Sequence, residues 1–313
     1  MEPSIISFDL MTEANANRIR RHCPACHSTE GRRRGPKHQF EMMITCDTCG
    51  TLYAEWLPDE TAAVDYDAYY TSSNLAVSPF IGKRVEEIVS GFSAYRKTNR
   101  LLEIGFGAGA MLQAAARAGW SAEGTEVSRT AVEHVRKEGL KVFCGELSEA
   151  GYSSGYFDVV IASELLEHVS NPRDMVTEIA RILRPGGLLW ATTPHIQGLS
   201  SRLLGLHWTT VSPDHLHLFS QAGITRLLRS AGFRQVRIET RGVNPFELWQ
   251  ALVHRDEFLN TDPHAAIGDR VNSGCQLNET LGKSGPRRAF RKLINEFLRL
   301  SRLGDSLKVW AEL

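Results

Sequence analysis

Apolar residues recur at Ile81, Val85, Ile88, Val89 and Phe92, the three-to-four spacing of an amphipathic helix. Arg100-Leu-Leu-Glu-Ile-Gly105 then reads as a short buried strand that runs into glycines. From there strand and helix patterns alternate. Met111–Gly119 is a helix stopped by Gly119, Ser121–Ser128 a second strand, and Arg129–Gly139 a second helix. Lys141–Glu146 is a third strand. Phe157–Ser163 is a fourth, apolar enough for the middle of a parallel sheet. Asn171-Pro172 opens a helix that ends at Arg184-Pro-Gly-Gly, and Gly187–His195 is a fifth strand. Residues 217–231 read as a helix, with Ser220 as a candidate N-cap, and Arg234–Arg241 as a sixth strand.

Unbroken β-α-β-α alternation over 81–240 predicts a parallel sheet covered by helices on both faces. Residues 243–300 look helical, and the final Asp305–Leu313 stretch is a candidate seventh strand. Four parts are therefore expected: a tail at 1–20, a cysteine-bearing unit at 21–57, a linker or lid at 58–80 that includes Tyr66, Tyr69 and Tyr70, and a large α/β domain at 81–313 whose helical insert covers 243–300.

Composition narrows the class. The 313 residues are 42% hydrophobic and carry 36 basic and 36 acidic side chains, an ordinary globular balance without the basic excess of most nucleic-acid binders. No run approaches the roughly 18 apolar residues of a membrane span. The polar N-terminus lacks the apolar core of a secretory signal, so a cytoplasmic protein is expected.

The strongest chemical motif is Leu101-Leu-Glu-Ile-Gly-Phe-Gly-Ala-Gly109. Glycines after a buried strand let backbone approach a ligand, and the following helix offers unpaired N–H groups. Gly105-x-Gly107-x-x-Ala110 also satisfies the dinucleotide fingerprint, and Glu126 stands where either an adenosyl or a nicotinamide cofactor would need a ribose-binding acid. Glu103, the extra glycine at 109, Glu146 after the third strand, and Ser163-Glu-Leu-Leu-Glu-His168 after the fourth favour the methyl-donor cofactor.

On these motifs the chain resembles the class I S-adenosylmethionine-dependent methyltransferases of the small-molecule type, over roughly residues 95–240. The resemblance implies a Rossmann-like, mostly parallel seven-stranded sheet with an antiparallel last strand. It implies Gly105, Phe106 and Gly107 against the methionine part near Glu103, Glu126 on the ribose and Val127 beside the adenine. It also places Glu146 and Leu147 at the adenine edge, and the Ser163 backbone on the methionine part. Glu stands at 103 and 146 where the family often has Asp.

Cys23-x2-Cys26 and Cys46-x2-Cys49 have the paired-knuckle spacing of a closed, structural Zn²⁺ site. His22, His27 and His38 lie nearby and are read as bystanders. The basic stretch Arg32-Arg-Arg34 with Lys37 reads as a solvated loop; a zinc ribbon gripping RNA is the rival reading. Ribosomal-RNA guanine methyltransferases and sugar methyltransferases resemble this layout.

For the chemistry, the histidine-rich segment after the fifth strand sits at the carboxyl edge where such sheets bind ligands. His215 is the first candidate general base and His195 the second, with His168 a cofactor-side or packing residue. The expected function is methyl transfer to an O or C atom of a small molecule such as a sugar. The alternatives are an RNA methyltransferase, a nicotinamide-dependent oxidoreductase and a non-catalytic cofactor-binding scaffold.

Overall fold

A computed structural model describes residues 20–37, 40–57, 65–71, 75–254 and 285–313. Most of the expected tail, His38, Cys275 and residues 255–284 of the expected insert lie outside the described residues.

The chain opens with three antiparallel strands, β1 (Gly31–Lys37), β2 (Phe40–Cys46) and β3 (Leu52–Ala54). The basic stretch is thus a strand, not a loop. As an edge strand it pairs with β2 on one side, while Arg32 pairs with Asp47 and Arg33 with buried Glu55. Two short pieces follow in the expected linker: α1 (Tyr66–Tyr69), capped by Asp65, and the start of α2 (Pro79–Ser90), capped by Ser78.

The α/β part then runs β4 (Arg100–Ile104), α3 (Ala110–Arg117), β5 (Ser121–Glu126), α4 (Arg129–Arg136), β6 (Lys141–Cys144), β7 (Phe157–Ser163), α5 (Pro172–Ile182) and β8 (Leu183–Pro194). After α6 (Leu199–Leu204) come β9 (His217–Leu218), α7 (Gln221–Ser230), β10 (Gln235–Arg241), α8 (Pro245–Val253), α9 (Gly285–Ser301) and β11 (Ser306–Glu312). Residues 217–218 are strand where a helix was expected. The hydroxyl of Ser220 accepts the Gly223 N–H, so the helix begins only after it.

Seven strands make the main sheet in the order β10-β11-β8-β7-β4-β5-β6. The pairs from β8 to β6 are parallel, and β11 lies antiparallel between β8 and β10, as expected. Phe157, Val159, Val160, Ile161 and Ala162 are fully buried because β7 is central and covered on both faces. Each large apolar side chain removed from water there contributes about 1.5–3 kcal/mol.

Asp158 interrupts that apolar run and anchors the sheet's rear edge. It accepts the N–H groups of Lys97, Thr98 and Asn99 and pairs with Arg184 at 2.6 Å. Burial alone would raise this carboxyl, but the guanidinium and three backbone donors outweigh it and hold it below the usual carboxylate range.

A second sheet has the order β1-β2-β3-β9. Its last strand comes from the α/β part, so the three strands of residues 31–54 share their sheet with that part. Cys23, Cys46, Cys49 and Tyr53 share one buried cluster with Leu102, Ile104, Phe219 and Ile224.

Candidate active site

The carboxyl ends of β4, β5, β6 and β7 open onto a cavity of about 780 Å³. Its floor is the glycine loop. Gly105, Gly107 and Gly109 have φ of 66°, 50° and 72°, a left-handed region that disfavours any side chain with a Cβ. A Cβ on Gly107 would lie 2.9 Å from the Tyr70 hydroxyl, so the loop and the aromatic lid close on one another.

Glu126 ends β5 and is buried at the cavity wall. One carboxylate oxygen accepts the Gly107 N–H at 3.1 Å and the other the Ser128 N–H at 3.0 Å. Each oxygen keeps acceptor capacity for a ribose hydroxyl, because a carboxylate offers about four lone-pair positions. The lid is fixed to the same place. Asp67 accepts from the Ser128 hydroxyl and the Thr130 N–H at the start of α4, which holds Tyr66, Tyr69 and Tyr70 over the cavity. Burial pushes Tyr66 up to about 12, with Asp214, Glu126 and Glu167 adding to the rise, so it is a neutral hydroxyl among carboxylates.

Of the residues expected at the cofactor, Gly105, Glu126, Val127, Glu146 and Leu147 line the cavity. Gly107 stands just beneath, under Tyr70. Phe106 points away: it packs with Leu112, Val132 and Val135, and its ring fills the space a Cβ on Gly124 would need. Ser163 shares a hydrogen bond with Thr192 at 2.9 Å. Glu103 is buried below the loop with one oxygen unpartnered. Burial, aided by the Glu126 charge, pushes it up to about 8 despite the Leu112 N–H.

The opposite wall comes from the segment after β7 and the segment before β9. Glu164 adopts φ 48°, a strained value for a non-glycine residue, and its N–H donates to the Thr192 carbonyl. Buried Glu167 accepts from the Thr193 hydroxyl at 3.0 Å, and its other oxygen has no partner. Burial beside Glu164 raises its carboxyl well above the usual range. His168 stands edge-on to His215 with centroids 4.6 Å apart. The His215 Nδ1–H donates to the Thr210 carbonyl at 2.6 Å, and that of His168 to the Asp214 carbonyl at 3.0 Å, so each neutral ring carries its basic lone pair on Nε2. Glu167, His168 and His215 bring one ligand atom each within 4.8 Å, a His₂-carboxylate set suited to a divalent cation or to a proton-accepting site.

His195 is elsewhere. It does not line the cavity, its Nδ1–H donates to the Gly304 carbonyl, and burial lowers it to about 4. It is buried against Gly304 and Asp305, just before β11. Glu167, Asp214 and Glu164 were not singled out from sequence, although the Glu164-x-x-Glu167-His168 spacing at a strand end was a usable signal.

The charge of the cavity is one-sided. Seven acidic side chains line it, Glu126, Glu146, Glu164, Glu167, Asp174, Glu178 and Asp214, of which Glu167 is the one pushed towards its neutral form, and no lysine or arginine does among the described residues. Such a field favours a sulfonium-bearing cofactor with an ammonium group and repels a pyrophosphate. The nicotinamide alternative therefore loses its electrostatic basis. The ribbon's four thiols also converge: Cys23 Sγ lies 3.6 Å from Cys49 Sγ, and Cys26 Sγ 3.5 Å from Cys46 Sγ.

The methyltransferase-domain family matches residues 80–238, just over half of the 313-residue chain. The ubiquinone biosynthesis O-methyltransferase of Methylococcus capsulatus is 31% identical over 161 residues, which cover 47% of this chain and 68% of that protein. The corresponding protein of Ralstonia nicotianae is 28% identical and covers 50% and 71%. Among solved structures, a SAM-dependent methyltransferase from Archaeoglobus fulgidus superimposes with TM-score 0.52 at 17% identity, covering 80% of this chain and all of that one. Phosphoethanolamine N-methyltransferase 2 of Haemonchus contortus reaches 0.52 at 16% identity, with 99% and 75% covered, and both show a shared fold. With glycine loop, acidic cavity and family match in agreement, the chain belongs to the methyltransferase-domain family and is an S-adenosylmethionine-dependent methyltransferase.

Proposed function

We propose that this enzyme methylates an oxygen or carbon of a small, phosphate-free acceptor, a hydroxyl oxygen being favoured. The single observation that carries the proposal is the wall of Glu167, His168, Asp214 and His215 facing the glycine loop across a cavity that no lysine or arginine lines among the described residues. Bound S-adenosylmethionine supplies an electrophilic methyl group. Glu126 would hold its ribose, Glu146 and Leu147 the adenine edge, and Glu103 the methionine ammonium. His215 Nε2 would accept the acceptor's proton, with Thr210 fixing the tautomer. A divalent cation on Glu167, His168 and His215 would lower the acceptor hydroxyl's pKa and do the same work by charge. The relatives named above carry O-methyltransferase names, which supports the hydroxyl.

Cys23, Cys26, Cys46 and Cys49 would hold a structural Zn²⁺. Tetrahedral Zn–S bonds of about 2.3 Å put sulfurs about 3.8 Å apart, close to the spacing found. The parts then read as ribbon at 21–57, lid at 58–80 and methyltransferase unit at 81–313. Among the described residues no helix is long and apolar enough to cross a membrane, and a cytoplasmic setting accords with the reduced thiols a zinc site needs.

The test is label transfer from methyl-tritiated S-adenosylmethionine to phenols and sugars, each with its phosphorylated counterpart, with and without Mg²⁺ or Mn²⁺. Transfer to the phosphate-free member of a pair is expected. Preference for the phosphorylated member would overturn the electrostatic reading.

A further inference from the structure

We propose that the cysteine ribbon is a positioning unit for the acceptor wall, and that His217 and Ser220 transmit its hold. The inference rests on the acceptor-side reading above and adds a role for the ribbon.

β9 is two residues long, too short to hold its place by its own ladder. Among the described residues its one strand partner is β3, with Leu52 opposite Leu218 and Tyr53 opposite His217. β9 begins one residue after His215, with Leu216 between them. The Ala54 N–H donates to the Leu216 carbonyl at 3.1 Å, and the Leu216 N–H donates onward to the Glu167 carbonyl at 2.9 Å. Fully buried His217 donates from Nε2 to the Leu166 carbonyl at 2.7 Å. One short strand therefore fastens both segments of the acceptor wall to the ribbon.

Two further contacts fix the same joint. The Ser220 hydroxyl donates to the carbonyl of Cys49, inside the second knuckle, and caps α7 on its other side. Arg21, beside the first knuckle, donates to the Ala54 carbonyl at 3.4 Å and to the Ser170 carbonyl at 3.1 Å. The knuckles' cysteines are packed in the core of the main sheet, so the ribbon is no detachable arm. Four thiolates tied to one ion would keep β3 in register, and β3 keeps β9 there. None of these hydrogen bonds reaches the cofactor half of the cavity on β4 and β5, whose Leu102 and Ile104 share only apolar packing with the cysteines. Loss of the ribbon's order should loosen the acceptor wall and spare the cofactor.

The experiment combines hydrogen-exchange mass spectrometry with calorimetric titration of S-adenosylhomocysteine, on the full chain. Zinc-loaded protein is compared with protein stripped by a thiol reagent plus chelator, and with His217→Ala, His217→Gln and Ser220→Ala. Stripping, His217→Ala and Ser220→Ala should each speed exchange across 208–218 at least tenfold while the Kd stays within twofold. His217→Gln, which keeps a side-chain N–H donor, should recover most of the protection. Undiminished protection of 208–218 in the stripped protein and in both alanine variants would overturn the proposal. A parallel fall in affinity would overturn it too, by showing general unfolding instead. Absence of S-adenosylhomocysteine binding by the unaltered protein would instead strike at the methyltransferase site, and the exchange data would still decide the ribbon's role.

Discussion

Replacing Glu126 by Gln tests the cofactor site where its geometry is tightest. The carboxylate takes one backbone N–H on each oxygen, from Gly107 at 3.1 Å and Ser128 at 3.0 Å. A glutamine keeps one acceptor, and its NH₂ must then face the other backbone N–H. An unmet buried donor costs about 1–3 kcal/mol, so the free protein should lose that much stability. Binding loses a charge-assisted hydrogen bond to one ribose hydroxyl, worth about 1.5–3 kcal/mol. The backbone cost is present in free and bound protein alike and cancels from the Kd, so the lost ribose bond alone gives roughly 10- to 150-fold weaker binding. Calorimetric titration of S-adenosylhomocysteine into both proteins reads the Kd, and thermal unfolding reads the free-protein cost. A lowered Tm with an unchanged Kd would refute the reasoning, because Glu126 would then be a loop cap with no part in holding ribose.

Asp158→Asn should destabilise the fold by about 3–5 kcal/mol in denaturant unfolding, since it strands the largely buried Arg184 guanidinium. The carboxyl is held below its ordinary value, so its stabilisation is complete above the usual carboxylate range and disappears as pH falls through the depressed pKa; the mutant's deficit should shrink under acid. Glu103 has the opposite sign: its pKa is pushed up to about 8, so ionisation weakens the folded state as pH rises from about 4.5 towards that value. Cofactor-free Glu103→Gln should therefore match the parent's Tm near pH 4 and exceed it near pH 8. His215→Asn should slow methyl transfer about 10²- to 10⁴-fold, measured as initial rate on the acceptor found by label transfer, with S-adenosylhomocysteine affinity unchanged. An unaltered rate would leave proton acceptance to another group.

The order of elements, the sheet's parallel core and the glycine loop were legible in the chain because they rest on local signals. Period and apolar runs mark strands such as Phe157–Ser163, and Gly105, Gly107 and Gly109 announce left-handed turns at a strand end. The paired cysteines were legible for the same reason: two-residue spacing is a local feature of a metal knuckle. The acceptor wall was not. Glu167 and His215 are 48 positions apart, and nothing in their neighbourhoods states that one cavity will hold both; only the folding of β9 against β3 brings them within reach. Likewise Phe106 carries the motif's spacing, but its ring is claimed by the cluster of Leu112, Val132 and Val135, since burial outweighs proximity to a ligand. His195 and His215 look alike as candidate bases in a sequence. Their burial and hydrogen-bond partners separate them, and both depend on distant segments: Gly304 and Asp305 bury His195, while His215 faces the open ends of the parallel strands. Local chemistry and periodicity were thus written in the chain, and the partners of each buried polar group were decided by long-range packing.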